Sequence, residues 1–297
     1  MTHGHAHGVG TTDPVIVLNG VHVALSDARI SVLDRGFLFG DAVFEVLRVY
    51  GRAPFALDEH LARLGRSLEG FRIEPSFPMA ELRREVHEAI QLLAHDDAYV
   101  RVMVSRGEGA LHLDPRRARG PTTRVVIAAP LLALPADLYD GVSIATVRAE
   151  RSTDHTRAAG AKTAAYVANL LALQVAQERG AYEAAFTASD GSISEGHSSN
   201  LFVVRGGEVL TPPLSSGILG GITRALVIEA ARDEGVTLRE RLLFVSDFER
   251  ADEAFLTSSL REVVPITAID GVRIGDGQPG PVTRRLHARY AQRVRAR

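Results

Sequence analysis

The 297-residue sequence contains no cysteine. That removes disulfide frameworks, thiolate nucleophiles, iron–sulfur clusters and cysteine-rich zinc sites, and leaves oxygen and nitrogen chemistry. An excess of either charge is missing as well: 36 acidic side chains face 34 basic ones, for a formal net charge of −2. The basic residues are scattered along the chain, so it carries no electrostatic footprint for nucleic acid. Long apolar runs are absent. No stretch approaches the ~18–20 residues needed to span a bilayer, and the N-terminal MTHGHAHGVG lacks the apolar segment of a secretion signal. The expectation is a cytoplasmic protein that meets small molecules rather than membranes or nucleic acid. With 45% hydrophobic and 24% charged residues, the composition is globular and the length suffices for two domains.

Lysine is nearly absent too. Of the 34 basic residues, 33 are arginine and one, Lys162, is lysine. A compositional drift toward arginine with one survivor is the bland account. The chemical account is that guanidinium replaces lysine wherever a fixed charge suffices but cannot lose its proton or condense with a carbonyl. A residue that must do either has to remain a primary amine, which makes Lys162 the first catalytic candidate.

Along the chain, residues 1–13 are rich in Gly, His and Thr and read as a disordered tail. VIVLNGVHVAL (15–25) reads as a hairpin turning at Asn19-Gly20. AVFEVLRVY (42–50), AYVRVMVSRG (98–107) and TRVVIAAP (123–130) read as strands, and helical spacing covers 58–68 and 79–94. A small N-terminal domain over 14–128 is therefore expected, followed by a Leu/Pro-rich connector at 129–141. The remainder, 142–297, is expected to form a larger domain. It contains a strand at 142–149, a helix from Thr163 to Arg179 carrying Lys162 at its threshold, and strands over 182–196. A hairpin at 201–211 follows, then a helix at 222–235 opened by Gly220-Gly221, and an amphipathic helix at 281–297. Strands and helices alternate irregularly, which predicts an α/β protein without the regular units of a doubly wound sheet.

Several parts suit a pyridine cofactor bearing a phosphate. Glu195 in SISEGHSSN offers an acidic partner for a ring nitrogen, although a turn-capping glutamate is the plainer reading. GILGGITR (217–224) leads glycines into a helix N-terminus, where free N–H groups favour an anion. Arg63 and the hydroxyls of Thr257-Ser258-Ser259 are possible completions of the cup. Singly, each is an ordinary surface or loop residue.

Seven segments in order, DRGFLFGDAVFEVLRVY, DEHLARL, AYVRVMVSRG, AKTAAYVAN, ISEGHSSNLF, LGGITR and DEAFLTSSLREVVPI, resemble the fold-type IV pyridoxal-phosphate enzymes. These are the class IV aminotransferases, which include branched-chain and D-amino acid aminotransferases and 4-amino-4-deoxychorismate lyases. The resemblance runs from about Val15 to Val282. It implies a two-domain α/β fold with a barrel-like sheet in the larger domain, and pyridoxal 5′-phosphate as cofactor. It also implies amino acid and 2-oxo acid substrates and a homodimer. By the same resemblance Lys162 carries the cofactor and shuttles the proton, Glu195 partners the pyridine nitrogen, and Tyr166, one helical turn on, meets the phenolic oxygen. Arg63, Ile222, Thr223 and Ser258 or Ser259 hold the phosphate, and Asn200 braces the Glu195 loop.

The substrate motifs disagree among themselves. Phe44, Val46, Arg48, Tyr99 and Arg101 occupy the positions that line the pocket of branched-chain enzymes, which typically have glycine where this chain has Val46. DRGFLFGDAVFEVLRVY is closer to the D-amino acid enzymes, yet their Arg-x-His carboxylate trap is replaced by Leu111 and Leu113. Arg48, Arg101, Arg106, Arg116 and Arg117 are then the available cations. Transamination of a D- or branched-chain L-amino acid is the expected activity. Pyruvate elimination by a deoxychorismate lyase and a non-catalytic cofactor-binding scaffold remain the alternatives.

Overall fold

The computed structural model describes residues 13–149 and 156–296. Apart from Asp13, the expected tail lies outside the described residues. The first sheet is antiparallel throughout and is built from β1 (Val15–Leu18), β2 (Val21–Val23), β3 (Ala42–Tyr50), β4 (Ala53–Pro54), β5 (Ala98–Ser105) and β6 (Thr123–Pro130). Its strand order is β2-β1-β6-β5-β3-β4. The first hairpin turns where the sequence predicts, with Asn19 and Gly20 both at positive φ (51° and 87°), as a two-residue turn between twisted strands requires.

A short helix, α1 (Arg35–Phe39), precedes β3, and two longer ones, α2 (Leu57–Phe71) and α3 (Met79–Leu92), lie between β4 and β5. Leu57, Leu61, Leu64 and Leu68 of α2 fall at helical spacing and share one core with Val43, Leu47 and Val49 of β3. Burial of each leucine stabilises this layer by roughly 1.5–3 kcal/mol. The last residues of β6, Ala129 and Pro130, pair with Tyr99 and Ala98, so regular structure runs two residues into the Leu/Pro-rich stretch.

The second sheet has ten strands: β7 (Val142–Arg148), β8 (Glu183–Thr187), β9 (Ser192–Gly196), β10 (Asn200–Arg205), β11 (Glu208–Thr211), β12 (Leu238–Glu240), β13 (Leu243–Phe244), β14 (Glu253–Ser258), β15 (Glu262–Ile269) and β16 (Val272–Arg273). The order is β12-β11-β10-β14-β15-β7-β8-β9-β13, with β16 on β15. In that order β9 and β10 are five strands apart, about 24 Å in a flat sheet. Only residues 197–199 join them, a reach of roughly 14 Å. The sheet must therefore curl, and it forms a half-barrel. Leu201 and Val203 of β10 face the core inside the curl, while Phe202 and Val204 pack with α5 (Ile222–Asp233) and α7 (Pro281–Arg295). Burial on both faces explains why this strand is apolar without alternation.

One expected element is corrected. Helix α4 spans Val167–Glu178, so the helix does not begin at Thr163, and Lys162 and Tyr166 do not share a helical face. Residues 162–164 instead pair with β3. Thr163 bridges Val43, the Phe44 N–H donates to the Lys162 carbonyl (2.9 Å), and the Ala164 N–H donates to the Ala42 carbonyl (2.8 Å). Pairing with an existing strand overrides the helix propensity of an alanine-rich segment. The remaining helix, α6 (Val245–Glu249), is one turn long. No helix among the described residues is long and apolar enough to cross a membrane.

Candidate active site

The seam between β3 and residues 162–164 opens into a cavity of about 690 Å³ bounded by both sheets. Phe44, Val46, Tyr99 and Arg101 enter from the first sheet and Arg63 from α2. Lys162, Tyr166, Glu195, Asn200, Ile222, Thr223, Ser258 and Ser259 enter from the rest of the chain. Residues far apart in sequence thus meet around one amine.

The Lys162 amine lies 4.7 Å from the centre of the Phe44 ring and 5.9 Å from that of Tyr166. By accessible surface the residue is only half-buried, yet protein surrounds the amine densely enough that desolvation dominates its ionisation. Desolvation and the Arg63 charge, helped by Arg101, outweigh Glu45 and Glu195 and hold its pKa at about 8. Tyr166 caps α4 and packs edge-on against Phe44, with ring centres 5.3 Å apart. Burial, with Glu195 nearby, pushes its phenol up to about 12, so its oxygen is a hydrogen-bond donor at neutral pH.

Arg63 is fixed by a residue the sequence reading did not single out. Glu45 is fully buried and takes Arg63 in a two-point contact, Nε to Oε1 and Nη2 to Oε2, both 2.7 Å, while His60 Nδ1 lies 2.7 Å from Oε2. Burial alone would raise the Glu45 pKa. The Arg63 charge and hydrogen bonds overcome that and hold it at about 2. A signal was present: Glu45 occupies an inward position of β3 between Val43 and Leu47, where an ion requires a buried partner. The Arg63 Nη1 donates to the Gly220 carbonyl (3.0 Å), which ties α2 to the loop entering α5.

Glu195 sits on β9 with its Oε2 accepting from the Leu219 N–H (2.8 Å) and from Asn200 Nδ2 (3.2 Å). Asn200 also donates to the Leu219 carbonyl (2.9 Å), so it links the Glu195 carboxylate to the loop that enters α5. Two residues after Leu219, Gly221 caps α5 without a side chain, and the first-turn residues Ile222 and Thr223, whose N–H groups have no intrahelical acceptor, line the cavity. Thr257, named in the sequence only as part of a hydroxyl run, is 1% exposed and lines the cavity with a hydroxyl that has no partner.

These features fit a planar pyridine with a phosphate arm. A carboxylate anchored on Leu219 and Asn200, a guanidinium, helix N–H groups, an orphaned hydroxyl and an amine of lowered pKa line one cavity. The Ser258 hydroxyl accepts from the Arg261 backbone N–H (3.3 Å) and Nε (3.2 Å), so Ser259 and Thr257 are the better placed of the hydroxyl run.

Arg48 departs from the expectation. It does not line the cavity; its Nη1 donates to the Leu260 carbonyl (3.0 Å) and Glu262 Oε1 (3.2 Å), and its guanidinium lies over the Tyr50 ring. Glu262, unseen in the sequence, draws it away. Of the five arginines offered for a substrate carboxylate, Arg106 pairs with Asp41 and Arg116 with Asp114, and Arg117 is not in the lining. Only Arg101 lines the cavity. Its guanidinium stacks 4.0 Å over Phe44, and among the described residues no carboxylate lies within ion-pair distance of it.

Half-barrel, clasping antiparallel sheet and single central lysine define a class of amino-group-transferring enzymes. The chain belongs to the class IV aminotransferase family, whose description, amino-transferase class IV, matches residues 42–269. A putative branched-chain-amino-acid aminotransferase of Methanocaldococcus jannaschii is 37% identical over 275 residues, covering 93% of this chain and 94% of that protein. The D-alanine aminotransferase of Bacillus licheniformis is 34% identical over 275 residues, covering 91% and 94%. Among solved structures, the branched-chain amino acid aminotransferase of T.th. with pyridoxamine 5′-phosphate superposes with a TM-score of 0.88 at 32% identity, covering 95% of this chain and 94% of that one.

Proposed function

We propose that this chain is a pyridoxal 5′-phosphate-dependent aminotransferase of the cytoplasm. It moves an amino group from a D-amino acid or a branched-chain L-amino acid to a 2-oxo acid such as 2-oxoglutarate or pyruvate, in two ping-pong half-reactions. The observation that carries this reading is the sole lysine, its pKa lowered to about 8 by burial and Arg63, beside two aromatic rings in a cavity with Glu195 and the α5 N-terminus. The similarity to both branched-chain and D-alanine enzymes supports both substrate classes.

When bound, the cofactor supplies a carbonyl that captures an amine and a ring that stores an electron pair. The protein does the rest. Glu195 keeps the ring nitrogen protonated, and its own orientation is set by Asn200 and Leu219. Arg63, the N–H groups of Ile222 and Thr223, and the hydroxyls of Thr257 and Ser259 hold the phosphate. Lys162, neutral in a large fraction of molecules at pH 8, would take the proton from the substrate α-carbon and deliver it to the former carbonyl carbon of the cofactor, two atoms away across the transferred nitrogen. Arg101 holds a substrate carboxylate, while Phe44, Val46 and Tyr99 exclude water from the reacting atoms.

A panel of D- and L-amino donors with 2-oxoglutarate and pyruvate as acceptors tests the reading. Transfer to at least one acceptor is expected from the wild type and none from Lys162→Arg, whose guanidinium cannot give up its proton. Turnover by the arginine variant, or pyruvate release from aminodeoxychorismate without an acceptor, would contradict it.

A further inference from the structure

Glu183 is a fully buried carboxylate at the first position of β8, and no step of the proposed reaction uses it. It does not line the cavity. Its Oε1 accepts from the Ser198 N–H (3.2 Å) and the Ser199 hydroxyl (3.1 Å), and its Oε2 accepts from Arg261 Nη1 (2.6 Å). His197 Nδ1 lies 2.8 Å from Oε1, an ion-pair distance, although its ring is not aligned for a hydrogen bond. Burial opposes the charge, but Arg261 and His197 together keep the pKa at about 2, so the group is an anion at any working pH.

The two sets of partners belong to different segments, which β10 and β14 also join directly where Asn200 pairs with Thr257. Residues 197–199 join the strand of Glu195 to the strand of Asn200. Arg261 lies with Ser259 in the turn between β14, which ends at Ser258, and β15. Arg261 also spans the gap directly, its Nη2 donating to the Ser198 hydroxyl (2.8 Å) while its Nε donates to Ser258 Oγ. The loop closes on the carboxylate too tightly for a side chain at Gly196: a Cβ there would lie 2.6 Å from Glu183 Oε1 and 2.2 Å from Ser199 Oγ.

We propose that Glu183 is a positioning residue that ties the 197–199 loop, which follows the strand of Glu195, to the β14–β15 turn carrying Ser259 and Arg261, fixing the spacing between these two parts of the cavity lining. This rests on the aminotransferase reading. A residue with no surface in the cavity then governs both how the cofactor is held and how the substrate is received.

A stability role and a spacing role separate in a double variant. Removing one member of a buried ion pair leaves the other uncompensated, whereas replacing both with neutral residues of similar size removes that penalty. Glu183→Gln, Arg261→Met and the double variant are compared with the wild-type full chain. The measurements are the urea midpoint, KM for the 2-oxo acid, and the Kd of the apoprotein for pyridoxamine 5′-phosphate by calorimetry. Each single variant is expected to unfold at lower urea. Because Arg261 itself lines the cavity, the binding readout is taken from Glu183→Gln, whose KM should rise about tenfold and whose Kd should weaken severalfold, while the double should regain most of the midpoint.

Return of KM and Kd to wild-type values together with the midpoint would overturn the proposal, as would a folded Glu183→Gln with wild-type values of both. If the wild type binds pyridoxamine 5′-phosphate but transfers no amino group, the aminotransferase reading fails instead. The Kd comparison alone then decides for or against Glu183.

Discussion

At the scale of single residues, the account turns on the ionisation of one amine. Desolvation, then Arg63, hold Lys162 at about 8 against an ordinary value of 10.5. The folded chain therefore resists charging this group. The resulting stability cost is present in full below pH 8 and disappears as the pH rises from about 8 toward 10.5. Because the chain has a single lysine, labelling lysine with ¹³C at the ε-carbon gives one lysine resonance, and its titration in the apoprotein reports this site alone. A midpoint near 8 is expected, and a midpoint near 10.5 would mean that the amine is solvated. Glu45 follows the opposite sign. Its pKa is depressed to about 2, so its contribution is present above the ordinary 4.5 and is lost as the pH falls toward 2. Acid thus releases Arg63 well below the pH at which Lys162 operates.

At the scale of elements, the entrance to α5 is a tight joint. A Cβ on Gly221 would lie 2.0 Å from Asn200 Oδ1, so Gly221→Ala presses on the residue that orients Glu195 and on the N–H groups offered to phosphate. Calorimetry should show its affinity for pyridoxamine 5′-phosphate weakened about tenfold or more. Gly65→Ala in α2, whose Cβ would meet nothing within 4 Å, should bind as the wild type does. Equal affinities for the two variants would contradict this geometry. The strands β3, β5 and β6 and the leucine stripe of α2 were legible in the sequence because alternation and helical spacing encode one buried face each. The segment after Lys162 was not. Its alanines favour a helix locally, and only the distant edge of β3 makes the extended form better. Arg48 illustrates the same limit: its position on β3 points toward the pocket, but Glu262, more than two hundred residues later, claims its guanidinium. The cluster around Lys162 could be named from motifs, whereas the buried anions that hold its arginines, Glu45 and Glu183, needed three-dimensional neighbours to acquire meaning.

At the scale of the whole molecule, a cavity shared between two sheets makes the reaction depend on how they are clasped. The clasp is the β3 pairing with residues 162–164, reinforced by Arg63 on Gly220 and Arg48 on Leu260. The protomer also leaves Val32, Phe37, Leu111, Leu113 and Val167 each more than 60% exposed. We propose a homodimer from the family resemblance, and such a partner would offer these exposed side chains a surface to pack against. Light scattering of the purified chain should give twice the 32.0 kDa protomer mass, and a monomer at micromolar concentration would contradict that inference. The central claim concerns the covalent attachment of one cofactor to one amine, and mass spectrometry of the borohydride-treated holoprotein tests it most directly. The account predicts a single phosphopyridoxyl adduct per chain, mapped to Lys162. A chain that stays unmodified after incubation with pyridoxal 5′-phosphate and borohydride, or that carries the adduct only on its α-amino group, would contradict it.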